Sequence, residues 1–206
     1  MAVTQLPASH SRVADAPAAP VARPRVLMVG TAFVVAGFLA FFAGLLAVYL
    51  NERALVIATG ATWVPAKVVL PLQQPNVMLL ALIASSITIQ WAVDAIRRDD
   101  RPQTYLAMGI TLLLGFATLN MAAYLYSVMN LDISLVTPMP ALTLTITAAH
   151  LVMLLGAMVF AGLMTFRALG GQYTSRQHDG ISAAALFWHA QVVVFAFIWF
   201  AIYITK

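Results

Sequence analysis

The sequence lacks cysteine altogether and has few charged residues. The absence of cysteine among its 206 residues excludes disulfide bonds, thiolate metal sites, iron–sulfur clusters and cysteine nucleophiles. Charged residues make up only 9% of the chain, whereas a soluble domain carries about 25%. No P-loop, G-x-S-x-G or H-E-x-x-H pattern occurs either. The sequence therefore indicates an integral membrane protein and shows no catalytic centre, cofactor-binding motif or metal-binding motif.

Hydrophobic residues make up 62% of the chain and fall into five long runs. A helix of about 20 apolar residues crosses a hydrocarbon core about 30 Å thick. The predicted fold class is therefore all-α, a polytopic transmembrane helical bundle. Its five predicted transmembrane helices cover residues 26–50, 76–96, 104–128, 141–166 and 182–205. We expect the proline-containing loop at 51–75 to lie on the membrane surface.

Residues 1–24 are rich in Ala, Pro, Val and Ser and show no apolar period. We interpret them as a disordered cytoplasmic tail that precedes a five-helix membrane domain at 25–206. A signal peptide is the alternative, but the run at 26–50 is longer than a signal h-region and shows no clear cleavage site.

Basic residues predict the orientation of the chain, because cytoplasmic loops carry an excess of Lys and Arg. One side of the membrane receives eight of them: Arg12, Arg23, Arg25, Arg97, Arg98, Arg101, Arg167 and Arg176. The other side receives three: Arg53, Lys67 and Lys206. We therefore expect a cytoplasmic N-terminus. The expected location of this multi-pass protein is the bacterial inner membrane.

Small residues form a ridge on the first predicted span. Gly37, Ala40, Gly44 and Ala47 share one helical face. Small side chains allow a second transmembrane helix to approach closely. We therefore interpret the ridge as a helix-packing face.

A polar stripe marks the second predicted span. Ser86, Gln90, Asp94 and Arg97 follow one another at helical spacing on one face. The simplest interpretation is that Asp94 pairs with a neighbouring arginine close to the membrane surface. The alternatives are a proton-entry site or a contact with another subunit.

Among the polar residues inside the later spans are Asn120, His150 and His189. A haem held by both histidines would need them at one depth. His150 lies about 24 Å from the inner end of its helix and His189 about 10 Å from its own, which argues against a shared haem or metal ion. We expect all three side chains to form hydrogen bonds between helices.

Several segments together resemble the short, five-helix form of cytochrome c oxidase subunit III. Residues 41–49 read F-F-A-G-L-L-A-V-Y and resemble the F-F-A-G-L-F-A-x-Y signature of its first span. Residues 82–90 resemble its second span, and His150 falls at its H-G-x-H-V-x-x-G motif. Trp188 and His189, followed by Tyr203, resemble its closing W-H-F-V-D…A-x-x-Y segment. The segments occur in the family's order and at matching spacing.

The chain departs from this family pattern at several polar positions. Phe38 and Ala123 stand where the family has membrane-embedded glutamates, and Asn120 replaces a glutamine. Met153 replaces the second histidine of the motif, and Val192 replaces the aspartate after Trp-His. The chain is thus identified as a divergent member, to which the roles of the family's buried acids cannot be transferred.

The resemblance implies a non-catalytic accessory subunit of a haem-copper terminal oxidase in aerobic respiration. Such a subunit binds no haem or copper itself; both belong to the catalytic subunit I beside it. It holds phospholipids, supports proton uptake and protects the enzyme from inactivation during turnover. His150, Trp188 and His189 are carried over as structural positions. Subunit I, other oxidase subunits and membrane lipids are the expected partners, and nucleic acid is not.

Two other functions stay open on the sequence alone. The accessory subunit of a nitric oxide reductase belongs to the same superfamily, as does the quinol-oxidase subunit. A stand-alone transporter or membrane scaffold would belong to another class. The spans carry no carboxylate other than Asp94 and show no inverted repeat, which counts against transport.

Overall fold

The computed structural model describes residues 25–131 and 137–206; the tail expected at 1–24 lies outside the described residues. Five α-helices make up almost all of the described chain. They are α1 (Val26–Ala58), α2 (Gln73–Arg97), α3 (Arg101–Met129), α4 (Met139–Leu169) and α5 (Asp179–Ile198), and α5 continues into a π-helical turn at Trp199–Ile204. All five are long and apolar enough to span a membrane. The prediction of an all-α, five-helix transmembrane bundle is confirmed.

The first helix is longer than the sequence predicted. The predicted span ended at residue 50, whereas α1 continues to Ala58. No proline or glycine interrupts the residues after 50 until Gly60, which has a φ of 79°. Because glycine adopts a left-handed conformation without steric cost, the chain turns there and not earlier.

The α2–α3 connection is short because both of its ends are specified locally. Asp99 has a φ of 55°, and Asp100 caps α3 by accepting a hydrogen bond from the Gln103 N–H. Pro102 stands in the first turn of α3, where its missing N–H has no helical partner to lose. These features hold α2 and α3 as an antiparallel pair.

The helix α5 lies at the centre of the bundle. It contacts α1, α2 and α4, and it is the most buried of the five helices. The helix α3 packs on α2 and α4, whereas α1 packs on one side only, against α5 and α4. Much of α1 therefore faces outward, and its exposed side chains include Val29, Phe33 and Phe41.

The loop between α1 and α2 packs into one end of the bundle. Trp63 is buried and donates a hydrogen bond of 3.0 Å to the Tyr49 hydroxyl. The Nζ of Lys206 donates to the Leu70 carbonyl across 2.9 Å, which ties this loop to the end of α5. The loop was expected to lie on the membrane surface. In the structure it also contributes side chains to the core.

The α2–α3 turn and the α4–α5 loop meet at the opposite end. Asp99 accepts a hydrogen bond of 2.6 Å from the Ser175 N–H. Hydrogen bonding from the Ser175 side chain and backbone holds the pKa of Asp99 below its usual range. The Tyr105 hydroxyl donates to the Ala168 carbonyl at 3.1 Å. These bonds fix α3 to the end of α4.

Candidate functional site: a polar chain between α2 and α5

A continuous chain of polar side chains runs along the outer face of α2. Ser86 and Gln90 both contact His189 of α5, through Nδ1 and Nε2 of its ring respectively. Gln90 also donates from Nε2 to the Asp94 carboxylate at 3.3 Å. The Asp94 carboxylate in turn lies 3.5 Å from Nη1 of Arg97. The chain joins all four residues of the predicted polar stripe to a histidine on the neighbouring helix.

The hydrogen bonds of this chain have a defined direction. Gln90 presents its amide oxygen to Nε2 of His189 at 3.3 Å, and that oxygen can only accept. Nε2 therefore carries the proton in the neutral ring, and Nδ1 accepts from the Ser86 hydroxyl. The arrangement therefore orients the His189 ring and the Gln90 amide relative to each other.

The polar chain forms part of the wall of an open groove on the outside of the bundle. The groove has a volume of about 530 Å³. Its apolar wall comes from Ile83, Ile87 and Val192, whereas Trp91 and Arg98 lie at one end. Gln90 is exposed and Asp94 is half-exposed, so the groove presents hydrogen-bonding groups to the surroundings of the bundle.

Behind this outer chain lies a second contact between the same two helices. Trp188 is fully buried and donates from Nε1 to the Ser85 hydroxyl at 2.9 Å. Gly115 of α3 leaves room for the indole, because a Cβ there would lie 3.0 Å from Cη2 of Trp188. Trp188 thus fixes the distance between α5 and α2 and holds His189 on the outer face.

His150 occupies a separate, fully internal position. Its Nε2 lies 3.1 Å from the backbone carbonyl of Gln191 on α5. The rings of Phe42 and Phe195 stand beside it, with centroids 6.4 and 5.1 Å away. The Gln191 amide is buried and forms no hydrogen bond within the described chain. The structure therefore places His150 and His189 in different environments.

Residues 25–131 and 137–206 contain no group of three or more His, Cys, Asp or Glu that could hold a metal ion. His150 is bonded to a carbonyl, and His189 is bonded to a serine and a glutamine. The geometry gives both histidines contacts to other helices.

Asn120 and the small-residue ridge face outward. Asn120 was expected to bond another helix, but its amide donates to the Phe116 carbonyl of its own helix at 3.0 Å. Asn120 is exposed and lines a groove that α3 shares with Gln73, Gln74 and Val77 of α2. The ridge residues are exposed as well: Gly37, Ala40, Gly44 and Ala47. A Cβ added at Gly37 or Gly44 would meet nothing within 4 Å, so no helix of the described chain covers the ridge.

An apolar groove of about 600 Å³ lies between α1, α4 and α5. Phe38, Phe160 and Phe187 line it, with Phe187 edge-on to both other rings. At the nearby helix ends, Nε of Arg25 lies 3.9 Å from the Asp179 carboxylate. A groove with this lining suits hydrocarbon chains.

Some of the contacts that build the site have no clear signal in the sequence. Ser85 lies within residues 82–90, for which the sequence showed only a resemblance to the family's second span, yet it is the partner of Trp188. Trp91 donates to Gln103 of α3 at 3.0 Å and closes one end of the outer groove. Because a buried indole N–H needs an acceptor, a tryptophan in a predicted span indicates that some residue nearby accepts its hydrogen bond. Which residue accepts it depends on how the helices pack.

The comparisons with known proteins agree on one family. Residues 21–206 match the family model described as cytochrome c oxidase subunit III. The chain is 30% identical over 168 residues to cytochrome c oxidase subunit 3 of Pan troglodytes, and 30% identical over 168 residues to that of Homo sapiens. It is 31% identical over 178 residues to the subunit of Branchiostoma lanceolatum.

These alignments cover most of the chain but less of the relatives. The match to the Pan troglodytes protein covers 79% of this chain and 63% of that protein. The match to the Branchiostoma lanceolatum protein covers 81% and 63%. The chain thus spans somewhat less than two thirds of the length of these curated relatives.

Proposed function

Because the chain belongs to the cytochrome c oxidase subunit III family, we propose that it is a non-catalytic accessory subunit of a haem-copper terminal oxidase. The observation that carries the proposal is the match of residues 21–206, which includes all five helices of the described bundle. The relatives it matches are cytochrome c oxidase subunits, which favours an oxidase over a nitric oxide reductase or a stand-alone transporter.

In this proposal, subunit I carries the haem and copper, and this chain stabilises it within the membrane. The outward small-residue ridge of α1 supports a contact with a further subunit of the complex. Gly37 and Gly44 leave space for the backbone of a helix from another oxidase subunit. Phe38 and Ala123 replace the family's buried glutamates, so this chain has no carboxylate at these positions to carry protons. The proposed support of proton uptake is therefore a property of the assembled enzyme.

The apolar groove between α1, α4 and α5 is the proposed phospholipid site of this subunit. Its volume of about 600 Å³ and its lining of Phe38, Phe160 and Phe187 suit an acyl chain. The Arg25–Asp179 pair at the helix ends offers both signs of charge to a lipid headgroup. Lipid held there would cover α1, which the chain itself leaves largely exposed.

The proposed location is the bacterial inner membrane, with the N-terminus in the cytoplasm. The excess of basic residues at the α2–α3 turn and the α4–α5 loop supports this orientation. The end of the bundle that carries Asp99 and Ser175 then faces the cytoplasm. The end that carries Trp63 and Lys206 faces outward.

Removal of the subunit tests the non-catalytic role. Membranes that lack this chain are expected to retain an oxidase with its haem spectrum and a measurable initial rate of oxygen consumption. That rate should decay faster during turnover than the rate of the complete enzyme. A complex with normal haem content and no initial activity would contradict the proposal, because this chain would then be required for the reaction itself.

A further inference from the structure

The outer polar chain between α2 and α5 has a consequence for how the subunit docks. Arg97 and Arg98 end α2 next to a charged turn, which places them at the membrane surface. Ser86 lies about 16 Å further along the helix, close to half the thickness of a hydrocarbon core of about 30 Å. The chain of hydrogen bonds therefore extends from the surface to about the middle of the bilayer.

Hydrocarbon is a poor environment for this face. Gln90 is exposed, and its amide and the Asp94 carboxylate keep hydrogen-bonding capacity beyond the bonds they make to each other and to their neighbours. Polar groups facing lipid tails are costly, and such residues usually face protein or water. By comparison, Leu113 on α3 and Val159 on α4 are exposed and apolar, and Asn120 on α3 is a single exposed amide that bonds to its own helix.

The depth of the polar groups distinguishes between two occupants of the groove. A lipid headgroup at the membrane surface can reach Arg98 and Asp94. Lipid tails offer no hydrogen bond at Gln90 and Ser86, one and two turns deeper. A transmembrane helix that bears hydroxyl, amide or ionisable side chains can bond these groups along the whole face.

We propose that the α2–α5 polar groove, with Gln90 and Asp94 presented beside Ile83, Ile87 and Val192, is the surface on which a polar transmembrane helix of the haem-bearing catalytic subunit docks. The inference rests on the proposed function and specifies the face used and the chemistry of the partner helix. The ordered direction of the His189–Gln90–Asp94 bonds fixes which donors and acceptors the partner meets. His189 and Trp188 position Gln90 and do not themselves take part in redox chemistry.

A cross-linking experiment tests the docking face in the complete complex. Because the chain has no cysteine, each introduced cysteine is unique and can carry a photoactivatable benzophenone maleimide. The probe position is Ile87 in the groove, and the matched control is Leu113 on α3. Each of these side chains is 67% exposed in the isolated chain.

We expect Ile87→Cys to give an adduct with the haem-bearing subunit and Leu113→Cys to give adducts with lipid. Lipid adducts alone at Ile87→Cys, in a complex that still contains haem, would overturn the docking face while the proposed function stands. An adduct with a haem-free membrane protein, and no haem in the preparation, would overturn the proposed function and the identity of the partner together.

A second pair of variants tests the hydrogen bonds. Gln90→Leu is expected to lower the recovery of haem with the tagged subunit about threefold to tenfold, in line with one or two interhelical hydrogen bonds in a membrane. Asn120→Leu is the control, because Asn120 is also an exposed amide but, among the described residues, bonds only to its own helix. Equal recovery in both variants, with melting of the free chain unchanged, would contradict the inference.

Discussion

Trp188 and Ser85 join the central helix to α2 through a hydrogen bond of 2.9 Å between the indole Nε1 and the hydroxyl Oγ. Both side chains are fully buried. The Ser85 hydroxyl also donates to the Leu82 carbonyl at 2.7 Å. The hydroxyl proton of Ser85 is therefore directed away from the indole, and a lone pair of its oxygen faces the indole N–H. The pair sets the spacing of the two helices that present the outer polar groove.

Ser85→Ala is expected to destabilise the chain, because the indole N–H of Trp188 would then lie unpaired in an apolar interior. The cost should be about 1 kcal/mol in the free energy of unfolding. Thermal unfolding in mild detergent, followed by tryptophan fluorescence, measures it. Ser127→Ala is the matched control, since Ser127 is exposed and its hydroxyl donates to the Tyr124 carbonyl of its own helix. Equal melting temperatures for the two variants would contradict this role of Ser85.

Substitution by alanine should have opposite effects on stability at Gly180 and at Gly162. A Cβ at Gly180, at the start of α5, would collide with the Tyr173 hydroxyl and the Met164 sulfur. Gly180→Ala should therefore lower the melting temperature. A Cβ at Gly162, inside α4, would meet nothing within 4 Å. Gly162→Ala should leave stability unchanged or raise it by about 0.5–1 kcal/mol, because alanine favours the helix. A lower melting temperature for Gly162→Ala than for Gly180→Ala would refute this packing.

The contact between Asp99 and Ser175 predicts a pH dependence at the α2–α3 turn. Because hydrogen bonding to Ser175 lowers the pKa of Asp99, the contact is fully present above the carboxyl's usual value of about 3.9. It is lost as the pH falls through the lower pKa of the folded state. Exchange of the Ser175 amide hydrogen, corrected for the intrinsic rate, should accelerate in that acidic range.

Asp99→Asn supplies the control for this pH dependence. Asparagine tolerates the left-handed backbone that Asp99 adopts at a φ of 55°, so the turn is retained. Its amide does not titrate in this range, and protection of Ser175 should become independent of pH. Unchanged pH dependence in the variant would assign the effect to another group.

Loss of either membrane histidine should impair assembly more than chemistry. His150→Ala removes a buried ring that contacts Gln191, Phe42 and Phe195, and His189→Ala breaks the outer polar chain. Each variant is expected to lower the amount of assembled complex. Oxygen consumption per haem in the assembled fraction should persist. Complete loss of turnover in a fully assembled variant would show that the histidine has more than a structural role.

The sequence predicted the five helices because apolar runs of membrane-spanning length determine them locally. It also predicted the polar stripe on α2, since Ser86, Gln90, Asp94 and Arg97 are neighbours on any helix. It did not predict that His189 would bond to Ser86 and Gln90. That contact depends on how α5 is rotated against α2, and Trp188 and Ser85 determine this rotation through a contact between residues distant in the sequence.

The orientation of the small-residue ridge on α1 could not be predicted from the sequence either. Spacing alone placed Gly37, Ala40, Gly44 and Ala47 on one face and predicted that the face packs. Which face of α1 turns toward the bundle depends on larger buried side chains such as Phe42 and Tyr49. These side chains turn the ridge outward, and contact with another subunit remains the proposal for it.

A mild-detergent pull-down through a tagged C-terminus, followed by a reduced-minus-oxidised optical spectrum of the eluate, tests the assignment to an oxidase most directly. We expect haem bands together with larger co-eluting subunits, and no haem in the tagged chain once it is separated from them. A pure band of 22.2 kDa with no haem absorbance would contradict the assignment to an oxidase. The family likeness would then reflect a shared fold in a protein that works alone.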